Sequence, residues 1–250
     1  MVRSAERPLR WRTPAAAACV LAAAGALAGC ATTQQKAARL QLQNARLRAA
    51  QLSTRVSAAG SSVSVTRVSL VGHSGKTAFV VKLRNRGGRP VSDLPISVGY
   101  RLSSGRPVYV NAARGIGYFD SHLPLIGPGR AFTWVYTTAR AIPAGARPFA
   151  RVGGSATVQV TGLNAPPAIA ADVAKAAGGA LEVTVRNRSG VTQYQLPVYA
   201  VASRGSRVLG AGAGTIAELA GGSSRTLRLR LLGSAEGATV QLDTQPTIFH

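Results

Sequence analysis

Two stretches of this chain match one another 102 residues apart without a gap: FVVKLRNRGGRPVSDLPISVG, starting at Phe79, and LEVTVRNRSGVTQYQLPVYAV, starting at Leu181. Both contain Arg-Asn-Arg followed by Gly at the same offset, and both contain Leu-Pro, at Leu94-Pro95 and Leu196-Pro197. The first stretch alternates. Phe79, Val81 and Leu83 share one side, while Lys82, Arg84 and Arg86 fall on the other. That period of two is the mark of a half-buried β-strand. A second pair of segments, LIGPGRAFTWVY and ELAGGSSRTLRLRLL, continues the match. AFTWVY and SATVQVTG read as further strands, and SSGRP, IGPG and IPAG as the turns between them. Two similar units of about 100 residues, built of short alternating strands, predict an all-β chain of two tandem β-sandwiches. The first unit is expected over residues 57–163 and the second over 164–250, joined near GLNAPPAI. AADVAKAAGG, just after the join, is read as a loop. Apolar residues make up 46% of the chain but aromatic ones only 5%, so the cores must be built largely of Val, Leu and Ala.

The N-terminus carries a different signal. MVRSAERPLRWR is positive, and TPAAAACVLAAAGALAG is uncharged and mostly apolar. Together they read as a secretory signal over residues 1–29. The run ends in Leu27-Ala28-Gly29-Cys30, which resembles the lipobox of bacterial lipoproteins. The small residues at 28 and 29 let the chain enter a peptidase site. The Cys30 thiol is the nucleophile that takes a diacylglyceryl group, and cleavage before it frees an amine for further acylation. Two acyl chains hold a protein stably on a bilayer where one does not. The expected location is extracytoplasmic, lipid-anchored to the cell membrane. Cys19 leaves with the signal, so the remaining chain has no free thiol for a disulfide or a cysteine metal site.

Residues 30–56 then form a stem carrying Lys36, Arg39, Arg46, Arg48 and Arg55 and no acid. Ala38, Leu42, Ala45, Ala49 and Leu52 recur at alternating spacings of four and three, which predicts a helix with one narrow apolar seam. Alanine seams hold partners weakly, so the stem is expected to act as a polar tether rather than a coiled coil.

The second unit carries a further resemblance. Asn187-Arg188-Ser189-Gly190 at a strand end, a valine-rich strand, a turn near Gly205 and IAELAGGSSRTLRL together resemble the immunoglobulin-like modules of bacterial secreted lipoproteins, in particular the FxLYD type. The likeness covers about residues 178–245. It implies immunoglobulin-like β-sandwiches with extracytoplasmic interaction roles, and no catalytic residues.

Motifs for other chemistries fail on spacing. HSGKTAF contains Gly-Lys-Thr, but a phosphate loop needs Gly five residues before Gly75, where Leu70 stands, and a helix after it. This segment reads as a hairpin turn. Gly210, Gly212 and Gly214 lack the dinucleotide spacing and instead let strands approach or turn. His73, His122 and His250 are scattered, and no metal or cofactor is expected. Asp120, Ser121 and His122 sit together in YFDSHLP, yet neighbours on an extended strand point opposite ways. They leave a surface hydrolase using Asp120 and His122 as the last-placed alternative.

What remains is charge. The net charge is +22, and in residues 57–163 basic groups outnumber acidic ones 13 to 2. A cationic body beside a membrane meets anionic lipid, cell-wall polymer or an envelope protein. The recurring pairs make Arg84, Arg86, Arg89, Arg186, Arg188, Arg228 and Arg230 the candidate anion- or partner-binding residues. Nucleic acid or another extracellular polyanion is the alternative ligand, against which count the scattered arginines and few aromatic platforms. The expected function is a non-enzymatic binding or structural role at the cell envelope.

Overall fold

The computed structural model describes residues 62–154, 167–177 and 179–248, with Val56 and parts of 33–44. The signal, the lipobox and the expected strand SATVQVTG lie outside the described residues. The chain is all-β. The first unit contains β1 (Val63–His73), β2 (Lys76–Asn85), β3 (Val91–Arg101), β4 (Pro107–Tyr109), β5 (His122–Ile126), β6 (Ala131–Thr138) and β7 (Arg147–Val152). The second contains β8 (Ile169–Ala177), β9 (Ala180–Asn187), β10 (Gln193–Arg204), β11 (Arg207–Leu219), β12 (Ser224–Arg230), β13 (Leu232–Gly233) and β14 (Thr239–Thr244).

Each unit is an antiparallel sandwich with the same pairing. In the first, β1, β2 and β6 form one sheet, facing β3 with its neighbours β4, β5 and β7. In the second, β8-β9-β12 faces β13-β11-β10-β14. In both units the first two strands and one later strand, β6 or β12, form the three-stranded sheet, and the remaining strands gather around one long central strand, β3 or β10. AADVAKAAGG is therefore not the expected loop. Ile169, Ala171 and Val173 of β8 pair with Asn187, Val185 and Val183 of β9, because the same alternation that builds β9 runs through these small residues. HSGKTAF is a hairpin turn, as read: His73 pairs with Lys76 across Ser74 (φ 49) and Gly75 (φ 74). Positive φ at both central residues matches the right-handed twist of the flanking strands.

The repeated Arg-Asn-Arg has a mechanical explanation. Asn85 is fully buried, and its side-chain amide donates to the carbonyls of Arg89 (2.8 Å), Ile126 (3.2 Å) and Gly127 (3.1 Å). Its Oδ1 accepts from the Gly87 amide at 2.9 Å. Asn187 repeats this, donating to Val191 (2.8 Å), Leu219 (3.2 Å) and Ala220 (3.2 Å) and accepting from the Ser189 amide (3.1 Å). Each asparagine thus ties the turn after its strand to the turn that enters β6 or β12. The flanking arginines, one residue away on either side, point out.

The units are joined face to face. In β10, Leu196, Val198, Ala200 and Ala202 belong to the second core, whereas Tyr199 and Val201 belong to the first. One strand thereby serves two cores through its alternation. Across from it, Val80 and Val135, paired neighbours on β2 and β6, are also buried. Burying side chains of this size contributes about 2 kcal/mol each. Phe132 meets Tyr199 edge-on at 5.7 Å. Polar contacts rim the seam: Arg67 Nη2 donates to the Ser206 carbonyl at 2.8 Å, and the Asp243 carboxylate accepts from the Thr133 amide (3.1 Å) and Gln241 Nε2 (2.7 Å).

Described residues between 33 and 44 are helical, as the seam predicts, but they do not stand away from the body. Leu42 is buried with Tyr118 and Ile248, beside Phe119, Val191 and Tyr194. Arg39 lies over the Tyr194 ring at 4.8 Å. The aromatic side chains at the junction supply the apolar surface that an alanine seam lacks.

Two expectations follow. Asn85→Ala or Asn187→Ala removes several buried hydrogen bonds at once and is expected to cost on the order of 3 kcal/mol in urea unfolding. Burial holds the Asp243 carboxyl above its ordinary range, against the bonds from Thr133 and Gln241 and the charge of Lys82, which lower it. The folded chain then keeps a proton that the unfolded chain has released, so stability falls as pH climbs from about 4 through the raised value. Asp243→Asn keeps an acceptor oxygen and is expected to flatten that dependence and raise the melting temperature at neutral pH.

Candidate functional site

The seven arginines picked from the sequence do not converge. Arg84 lies on β2, on the pleat side of Lys82 and Val80 that turns toward the second unit, and Arg86 and Arg89 follow in the turn. Arg186, Arg228 and Arg230 lie on the outward side of β12-β9-β8, at the far end of the molecule, with Arg188 in the next turn. The pairs match in sequence, yet one lies at the junction between units and the other on an end face. On that end face the charges are partly cancelled. Arg228 is opposite Glu182, which is opposite Lys175, around a shallow depression of about 400 Å³, and Asp172 lies opposite Thr184.

The Asp120-Ser121-His122 cluster sits at the end of the connection from β4 and the start of β5, where the second unit has one continuous strand, β11. Asn111 closes the resulting gap along β3. Its Oδ1 accepts from the Val98 amide at 2.7 Å, and its Nδ2 donates to the carbonyls of Ile96 and Asp120, both at 2.9 Å. Ser121 Oγ lies 2.9 Å from His122 Nδ1, and the His122 ring stacks on Tyr118 at 4.9 Å. Tyr118 donates to Asp93 at 2.5 Å. Burial lowers the His122 pKa although Asp93 raises it, and burial together with Asp93 pushes the Tyr118 hydroxyl up. A serine hydroxyl beside an imidazole looks like an activated nucleophile, but Ser121 is fully buried and its hydroxyl donates to the Tyr118 carbonyl at 3.3 Å. A nucleophile must reach its substrate. Here the network instead holds the loop against Trp134, whose Nε1 donates to the Phe119 carbonyl at 3.0 Å. Among the described residues, no three His, Cys, Asp or Glu come together as a metal site.

A different set of residues does converge, on the outward side of the β3 sheet. Three successive rungs cross it. Arg101 pairs with Pro107 and Arg147, Gly99 with Tyr109 and Phe149, and Ser97 with Arg151. The Tyr109 and Phe149 rings meet edge-on at 5.2 Å. The guanidinium groups of Arg101 and Arg151 lie 5.5 and 5.7 Å from the centre of the Phe149 ring. Arg151 donates to the Tyr109 hydroxyl at 3.1 Å, and Arg101 to the Gly105 carbonyl at 3.2 Å. Gly99 makes this possible: a Cβ there would lie 2.1 Å from the Val108 carbonyl oxygen and 2.8 Å from Phe149. Val56 crosses the lower rung, its amide donating to Ser97 Oγ at 2.9 Å. The sequence held a clue to this face. In Arg147-Pro-Phe-Ala-Arg151 the two arginines flank Phe149 at spacings of two, so a strand puts all three on one side.

No protein-family model matches the chain, and no curated protein matches it. Among solved structures it is similar to the C-terminal globular domain of an oligosaccharyltransferase from Pyrococcus abyssi, with 8% identity and a TM-score of 0.24, over 81% of this chain and 51% of that one. The chain spans about half the length of that structure.

Gly99→Ala is expected to destabilise the first unit by about 1–3 kcal/mol, because backbone and ring must both move. Thermal unfolding followed by tryptophan fluorescence measures it through Trp134.

Proposed function

We propose that the protein is a lipid-anchored lipoprotein outside the cytoplasmic membrane, with a non-enzymatic binding or structural role at the cell envelope. The observation that carries the reading is the order of the N-terminal features: arginine-rich start, apolar run, then Leu27-Ala28-Gly29-Cys30, followed by a body without cysteine. A thiol-free body suits a compartment where free thiols are oxidised. The sheet order of both units and the resemblance of residues 178–245 to immunoglobulin-like lipoprotein modules support a binding role. So does the burial of Ser121, which keeps the Ser121–His122 pair out of a substrate's reach.

Binding of a soluble polyanion is the second reading, favoured by the +22 net charge. It requires a steep fall of affinity with salt.

The anchor is tested in cells. Wild-type protein is expected in the membrane fraction, with a processed, acylated Cys30 at its N-terminus by mass spectrometry and with globomycin-sensitive processing. Cys30→Ala is expected to accumulate as unprocessed precursor. An intact, unacylated wild-type N-terminus defeats the proposal.

A further inference from the structure

We infer that the cleft between β1 and the β10–β11 hairpin, at the junction of the two units, binds a phosphate monoester. The site stands apart from the N-terminal anchor and does not depend on it.

The cleft has a volume of about 420 Å³. Arg67, Ser69, Leu70 and Gly72 line it from the first unit, and Ser206 and Arg207 from the second. Clefts where two domains meet are favoured places for small ligands. The local folding of β1 prepares one wall. His73 and Lys76 close a two-residue hairpin, so alternate residues of β1 bond to β2 and the others turn their backbone groups away from it. Counting back from His73, Leu70 and Gly72 are of the second kind. Their amides lie on the outer edge of the sheet, where the cleft runs.

Each unit contributes a guanidinium. Arg67 is held by its bond to the Ser206 carbonyl at 2.8 Å, across the junction. The Arg207 guanidinium has no hydrogen-bond or ion-pair partner among the described residues. Arg204, on the same hairpin, donates to the carbonyls of Gly237 at 3.1 Å and Glu236 at 3.4 Å. Among the described residues no carboxylate lines the cleft. Two separate units thus bring like charges to one cleft, and an anion between them turns repulsion into attraction. The ligand class follows from counting charges and acceptors. A carboxylate carries one charge and two oxygens, which a single guanidinium fork satisfies. A phosphate monoester carries close to two charges and three acceptor oxygens. It can meet both guanidiniums, the Ser69 hydroxyl and an edge amide at once. Held this way it links the two units, and mass action makes its binding stabilise their alignment.

The test uses the full chain in dodecyl maltoside micelles at physiological salt, titrated with glycerol 3-phosphate and followed by hydrogen exchange and mass spectrometry. Exchange in residues 66–72 and 205–209 is expected to slow at saturation, while exchange in β9 stays unchanged. R207Q is expected to weaken binding at least tenfold. That side chain holds no described residue, so the unliganded melting temperature is expected to stay where it is. R228Q removes the same charge from another sheet and is expected to keep wild-type affinity. Equal weakening in R207Q and R228Q overturns the site. So does tighter binding of tetraglutamate than of glycerol 3-phosphate. Phosphatidic acid in the micelles separates the sources of the ester. Protection by the lipid assigns a headgroup, protection by glycerol 3-phosphate alone assigns a soluble ester, and protection by neither overturns the site.

Discussion

The architecture depends on burying both sides of two strands. A β-strand presents alternate residues to opposite faces, so a strand at the centre of a stacked molecule must be apolar on both. In β2, Phe79, Val81 and Leu83 fill the core of their own unit, while Ala78 and Val80 meet the other unit. In β10, Leu196, Val198 and Ala200 fill one core, and Tyr199 and Val201 enter the next. Four sheets are thereby stacked in series, and the core of the first unit extends across the junction to Tyr199, Val201 and Ala211. The polar rim at Arg67, Thr133, Gln241 and Asp243 sets the alignment of the sheets.

A head-to-tail contact between two similar units carries a hazard. The same contact repeated would build an open stack rather than a closed body. The chain prevents this by substitution at matching positions. Val80 in the first unit corresponds to Glu182 in the second, 102 residues later, and Val80 is buried where Glu182 is exposed. Tyr199 and Val201 in the second unit correspond to Ser97 and Gly99 in the first. Each outer end has thus lost the apolar groups that its counterpart uses, as terminal repeats of solenoids do. The glycines of β11 solve the inner half of the problem. A Cβ at Gly212 would lie 2.2 Å from the Arg230 carbonyl oxygen, so these residues let β11 close against the strand at the edge of the facing sheet.

Much of this was legible in the sequence, and the reasons are local. The alternation around Phe79 and Leu181 fixed strands, the 102-residue match fixed two units, and Ser74-Gly75 fixed a hairpin. The role of Arg-Asn-Arg was not legible. The arginines drew attention as charges, yet the residue that makes the motif recur is the buried asparagine between them, whose acceptors lie about 40 residues away at Ile126 and Gly127 in one case and about 30 away in the other. β8 was missed because alanine carries little strand propensity, and its pairing with β9 overrides that. The docking of the stem was missed because the surface that receives Leu42 comes from Tyr118 in one unit and Ile248 in the other.

The candidate face at Arg101, Arg147 and Arg151 shows why charge counts alone mislead here. Arginines are spread along the chain. What separates these three is register: three rungs of one sheet bring them to one side, and Gly99 lets two rings lie between them. Pairing is the other half of the argument. Arg228 and Lys175 both lie across the strand from Glu182 and spend much of their field on it. Opposite charges held across a strand pair attract one another and leave little net potential at a distance, while like charges held together on an open face sum.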